Sequence, residues 1–308
     1  MPSMRKLIAG AVVLAALGAI AGWVLSAPRS LDDAGIAPVS DGAEARGERI
    51  FWVAGCASCH AESKAEGEER LRLAGGLELA TPFGTFVAPN ISSHKTDGIG
   101  GWSLVNFANA MQRGISPDGA HYYPAFPYAS YTRMDPADIA DLYAFMKTLP
   151  AVEGKAPDHQ LGFPFNIRRG LGLWKLLYMR EKQVVELDAE VSDAVVLGKY
   201  LVEGPGHCGE CHTPRDMFGG TQYDAWLSGA PAATGEGTIP NITPGGDVGG
   251  WSEDEIAEYL NSGFTPDFDS AGGEMVSVIK NLANLEPGDR AAIAAYLKQV
   301  PSLPDGHP

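Results

Sequence analysis

Two pentads, Cys56-Ala57-Ser58-Cys59-His60 and Cys208-Gly209-Glu210-Cys211-His212, contain all four cysteines of this 308-residue chain. The Cys-x-x-Cys-His spacing sets two thiols on one helical turn, where they can form thioethers to porphyrin vinyl groups while the next histidine ligates iron. Chance would supply roughly 0.001 such pentads in a chain of this composition. The expectation is therefore two covalently bound c-type haems, attached through Cys56, Cys59, Cys208 and Cys211, with His60 and His212 as proximal ligands. Other readings fit less well. A thioredoxin-like pair wants strand-rich flanks and leaves both histidines unexplained. A four-cysteine zinc site wants its pairs about 15–20 residues apart, whereas 152 residues separate Cys56 from Cys208. A disulfide across two residues closes only a tiny loop.

The pentads sit in a duplication. GERIFWVAGCASCH (47–60) matches GKYLVEGPGHCGECH (198–212), Pro89-Asn90-Ile91 matches Pro240-Asn241-Ile242, and Gly101-Trp102-Ser103 matches Gly250-Trp251-Ser252, at offsets of 152, 151 and 149. MDPADIADLYAFMKTLP (134–150) then matches LEPGDRAAIAAYLKQVP (285–301). Two copies of one unit, each with one haem, account for the length. Each copy reads as helical, so the fold class is all-α. Residues 43–54 and 194–203 carry apolar positions at helical spacing before the pentad. Ser252 with Glu255 forms a capping box and Gly263 a left-handed stop, a scheme that Ser103 and Gly114 repeat. The last helices begin at Asp135-Pro136 and Glu286-Pro287 and end before Pro150 and Pro301. The expected organisation is an N-terminal segment (1–28), one unit over 41–150, an interdomain segment over 151–190 and a second unit over 191–304. The stretch GFPFNIRRGLGLWKLLYMREK is too apolar for a floppy linker and is expected to pack across the junction, with an exposed partner surface as the alternative for Trp174, Leu176 and Leu177.

Ahead of the duplication, Arg5 and Lys6 precede 21 uncharged residues, 7–27. As a helix these span about 31 Å, more than a typical signal-peptide apolar region and enough to cross a bilayer. The basic pair keeps the N-terminus cytoplasmic and puts the remainder outside. A retained anchor is favoured over a cleaved signal, although Ala19-Ile20-Ala21 offers a small-x-small cleavage site; either exports the globular part. The chain has 23 Lys plus Arg against 38 Asp plus Glu and no basic tract, which argues against nucleic-acid binding. Without the two cations of the first 27 residues the exported part carries 21 − 38 = −17.

A histidine–methionine pair raises the potential of haem iron. In the second copy Met275 lies in a loop expected to reach the distal face; a core methionine is the alternative. Met217 is too near His212. In the first copy Met111 and Met146 fall within helices, which leaves Met134, whose alternative is a hydrophobic staple; in the repeat it falls on Leu285, not on Met275. His121 is the rival ligand and would give a bis-histidine haem. His94, His159, His207 and His307 read as solvated or merely polar, with His207 near a haem edge.

With both pentads and their flanks in view, the chain resembles the multihaem cytochrome c subunits of membrane-bound bacterial alcohol and gluconate dehydrogenases of the quinoprotein or flavin type. The likeness covers about residues 45–303. It is most specific at TPFGTFVAPNIS, TDGIGGWS, HYYPAFPYASYT, LGFPFNIR and YLVEGPGHCGECHTPRDMFGG. It implies two tandem cytochrome c folds and electron relay between redox partner proteins on the periplasmic side of the membrane, from a dehydrogenase toward quinone or a terminal oxidase. No catalytic residue is required, so an electron carrier is favoured over an enzyme; the alternative is a dihaem peroxidase-like enzyme with one open or bis-histidine haem. Two departures stand out. Such subunits usually carry three domains, and many have methionine in the loop where this chain has Phe126.

Overall fold

The computed structural model describes residues 4–32, 35–188, 190–232 and 237–306. Its first element, α1 (Met4–Leu25), is uncharged beyond Arg5 and Lys6, buries none of its residues, and is long and apolar enough to cross a membrane. Ser26 ends it, its Oγ donating to the Trp23 carbonyl at 3.1 Å. Such a helix fits a signal sequence or a membrane anchor.

After it come two sets of helices with the same plan. The first contains α2 (Ala43–Val53), α3 (Cys56–His60), α4 (Leu104–Ala108), which runs on into a π-helical turn over Asn109–Arg113, α5 (Tyr128–Tyr131) and α6 (Pro136–Thr148). The second contains α8 (Asp193–Glu203), α9 (Gly209–His212), α10 (Glu253–Ser262), α11 (Met275–Leu282) and α12 (Pro287–Leu297). Local chemistry sets their ends. Ser103 accepts from Asn106 N at the start of α4, and Ser252 and Glu255 close a reciprocal capping box at the start of α10. Gly114 and Gly263 take the left-handed conformation at the stops, where a side chain would be strained. Proline opens both α6 and α12.

Burial then brings the first and last helix of each set together. Gly47 lets α2 lie on α6, since an added Cβ would be 2.0 Å from the Asp141 carbonyl oxygen. Gly198 does the same for α8 on α12, with the Ala292 carbonyl at 1.8 Å. Ile50, Phe51, Ile139 and Leu142 around the first crossing and Leu201, Val202, Ile293 and Tyr296 around the second are buried in one continuous apolar cluster.

Strands amend the all-α expectation. β1 (Glu78–Thr81), β2 (Gly84–Val87) and β3 (Gln160–Leu161) form an antiparallel sheet in the order β1-β2-β3, with Glu78 opposite Val87 and Gly84 opposite Leu161. β4 (Ala230–Pro231) pairs with β5 (Thr238–Ile239). These strands have two to four residues, too short for an alternating pattern to mark.

The segment between the sets packs against both and contains, after a 3-10 turn over Arg168–Gly170, the helix α7 (Leu171–Tyr178). Lys175 Nζ donates to the Gly114 carbonyl at 2.8 Å, and Tyr178 Oη to Asp216 at 2.6 Å, so α7 touches both sets. Trp174 belongs to this packing, its Nε1 donating to the Phe218 carbonyl at 3.0 Å, whereas Leu176 and Leu177 are exposed.

Candidate haem sites

The geometry around His60 and His212 is duplicated almost atom for atom. His60 Nδ1 lies 2.8 Å from the Pro89 carbonyl oxygen, and His212 Nδ1 lies 2.8 Å from that of Pro240. A carbonyl can only accept, so each Nδ1 carries the proton and each Nε2 keeps its lone pair free. Behind each ring, the Gly75 and Gly229 amides donate to the His60 and His212 carbonyls at 2.8 Å. Both glycines have positive φ, and a Cβ on Gly75 would lie 2.5 Å from the backbone of Ala88 and Pro89.

Asparagines fix the Pro-Asn-Ile turns that carry these carbonyls. Asn90 Oδ1 accepts from Ser92 N and its Nδ2 donates to the Val152 carbonyl at 2.8 Å. Asn241 repeats the pattern with Thr243 N and the Leu303 carbonyl at 2.9 Å. The Pro-Asn-Ile repeat is thus the support that aims each histidine, a role that sequence repetition marked without explaining.

None of the four cysteines forms a disulfide. Each pair precedes a histidine whose pKa desolvation lowers. This donor set fits a covalent haem: two thiols for thioethers and one neutral imidazole nitrogen for iron. It does not fit a thiolate metal site, and among the described residues no cluster of three or more His, Cys, Asp or Glu side chains could hold a bare ion.

The structure brings the two pentads together across the interface between the sets. His207, directly before Cys208, has its Nε2 3.2 Å from the Ala54 carbonyl oxygen, two residues before Cys56. The Tyr131 hydroxyl donates to the same carbonyl at 3.1 Å, and its ring meets His207 edge-on. Asn281 Nδ2 donates to Ser58 Oγ at 2.6 Å. His207, expected near a haem edge, is therefore at the junction between the pentads. Asn281 and Tyr131 escaped sequence reading, because no motif marks a residue whose partner lies far along the chain.

Met134 is buried in the core just before α6, and its carbonyl accepts from Gln112 Nε2 at 3.0 Å. Met111 and Met146 are buried in the same core. Met275 is half-buried as the first residue of α11, which corrects the expectation of a loop: the apolar face of Met275, Ile279 and Leu282 folds onto the core as a helix. Met217 is exposed. His121 is buried with its Nε2 2.9 Å from the Ser26 carbonyl oxygen, so it is engaged with the end of α1. His94 contacts Asp97, and His159 Nδ1 accepts from Val87 N between the rings of Phe86 and Tyr123, so neither is simply solvated. His307 lies outside the described residues.

The cytochrome c family profile matches residues 44–150. A dihaem c-type cytochrome of Cereibacter sphaeroides is 50% identical over 300 residues, covering 97% of this chain and 100% of the relative. This chain belongs to the dihaem c-type cytochromes. It carries two covalently bound c-type haems and transfers electrons. The fructose dehydrogenase cytochrome subunit of Gluconobacter japonicus is 38% identical, covering 83% of this chain and 52% of the subunit. The cytochrome c subunit of the quinone-type alcohol dehydrogenase of Gluconobacter oxydans is 35% identical, covering 92% of this chain and 61% of the subunit. The chain thus spans the whole of its dihaem relative but only about half to three-fifths of these dehydrogenase subunits.

Proposed function

We propose that the chain is a two-domain relay that accepts electrons from a dehydrogenase and passes them toward quinone or a terminal oxidase outside the cytoplasmic membrane. The observation that carries this is the juxtaposition of the pentads, joined through His207 and Ala54 and through Asn281 and Ser58. A single carrier would need one site; two sites packed edge to edge suit transfer within one molecule. The dehydrogenase subunits among the relatives favour this reading over a peroxidase. The domains are 41–150 and 191–304, bridged by 151–190, and residues 7–27 are a retained anchor.

In this reading Cys56, Cys59, Cys208 and Cys211 hold the haems by thioethers, and His60 and His212 present Nε2 to iron while Pro89 and Pro240 fix the rings. Haem supplies the one-electron couple between ferric and ferrous iron. The chain orients it, excludes water and completes its coordination, with Met275 in the second domain and Met134 in the first. The engagement of His121 with Ser26 supports methionine in the first domain.

A near-infrared spectrum of the oxidised, haem-loaded protein tests the assignment, since methionine bound to ferric haem has its own charge-transfer band. Two methionine-ligated haems per chain are expected, with one lost in Met134→Ala and one in Met275→Ala. A single band that Met134→Ala leaves unchanged would remove Met134 from the site.

A further inference from the structure

The length of α1 fixes the height of its neighbours. Its 22 residues measure about 33 Å, close to the thickness of bilayer hydrocarbon, so an upright α1 brings Leu25 and Ser26 to the outer boundary. The helix α7 is fastened at that level. Gly172 lies against Ser26, where a Cβ would be 2.2 Å from the carbonyl oxygen. Arg169 donates from Nε to Ser26 Oγ at 3.0 Å and from a terminal nitrogen to the Trp23 carbonyl at 2.7 Å, with its guanidinium 4.4 Å from the centre of the Trp23 ring. An eight-residue helix extends only about 12 Å, so no part of α7 can be far from the boundary.

On α7 and the segment leading into it, Phe163, Phe165, Ile167, Leu173, Leu176 and Leu177 are exposed, Phe163 by 82% and Leu177 by 75%. Trp174 and Lys175 on the same helix are turned into the protein. An apolar edge of this size beside the end of a membrane helix, with an arginine clamped over a boundary tryptophan, matches an interfacial element.

We propose that residues 163–177 rest on the bilayer as an interfacial foot, with these six side chains in the boundary between phospholipid headgroups and acyl chains. The inference depends on the reading of residues 7–27 as a retained anchor. The foot gives the molecule a second point of contact, so that both domains stand at a fixed height and tilt rather than swinging on α1. Lipid is favoured over a protein cover because the contacts with Trp23 and Ser26 set the depth.

The test uses the full-length, haem-loaded protein in phosphatidylcholine–phosphatidylglycerol vesicles that contain a phosphatidylcholine with a diazirine near the top of one acyl chain. After photolysis the lipid-modified peptides are counted by mass spectrometry. Adducts on residues 163–177 are expected at least about tenfold above those on the loop around the exposed Phe268, and the triple variant Leu173→Gln, Leu176→Gln, Leu177→Gln is expected to lower them at least about fivefold without changing those on α1. Adducts on α1 alone would overturn the foot and leave the anchor standing. Adducts on neither would overturn both. Adducts on the foot that the triple variant leaves undiminished would overturn the assignment to these side chains.

Discussion

At the residue scale, the closest constraint is the pair of glycines at the helix crossings. Gly47 and Gly198 leave no room for a methyl group, and the atoms opposite are main-chain carbonyls of the partner helices, which cannot rotate away as a side chain could. Gly198→Ala is expected to cost about 3 kcal/mol by forcing α8 off α12, and Gly47→Ala a similar amount by forcing α2 off α6; thermal melting of the haem-loaded protein measures both. Melting temperatures equal to the parent's would mean that the helices slide apart freely. The periodicity of residues 43–54 and 194–203 located both helices, and the repeat paired Gly47 with Gly198. Nothing in the sequence said that these glycines are contact points, since a glycine inside a helix reads equally well as tolerated weakness.

At the element scale, α10 provides the sharpest test. The Ser252 side chain accepts from Glu255 N, and Glu255 accepts from Ser252 N at 2.7 Å. Ser252→Ala is expected to cost about 1 kcal/mol. The backbone and side-chain hydrogen bonds from Ser252 hold the Glu255 carboxyl below its usual pKa. The folded state therefore favours the ionised form, and the stabilisation is present above the ordinary carboxylate range and lost as pH falls through the depressed value. Glu255→Gln should accordingly lower the melting temperature at neutral pH and have a shrinking effect in acid. A difference that stays constant from neutral to acid pH would show that the box does not depend on charge. Capping patterns of this kind are legible in sequence because donor and acceptor lie three residues apart. The short strands are not, since Gly84 and Leu161 meet only when the interdomain segment folds back.

At the scale of the whole molecule, the two sets of helices are tied by pairs far apart in the chain. Arg49 and Asp289 form a two-pronged pair at 2.7 and 2.8 Å, with Arg49 35% and Asp289 8% exposed, and Tyr200 reaches Asp138. Because Asp289 is buried, Arg49→Ala leaves its charge uncompensated; a loss of about 1–2 kcal/mol is expected, discounted for the exposure of the arginine. A double-mutant cycle with Asp289→Ala should give a coupling of at least about 1 kcal/mol, and strict additivity would deny the pair a part in holding the sets together. The charge of −17 outside the first 27 residues leads to a second expectation: electron exchange with a basic redox partner should slow several-fold, on the order of tenfold, between low and physiological salt, as stopped-flow spectroscopy would record. A salt-independent rate would exclude electrostatic docking. By itself, the sequence determined the cofactor chemistry, the duplication, the main helices and their caps, because each is written in spacings of a few residues or in repetition of one stretch by another. The tertiary structure alone decided that the two pentads face each other through His207 and Asn281, that Met275 begins a helix, that His121 is bound to the end of α1, and that α7 lies level with that end. These depend on which distant surfaces meet when the apolar faces are buried, and packing energy of that kind leaves no local pattern to read.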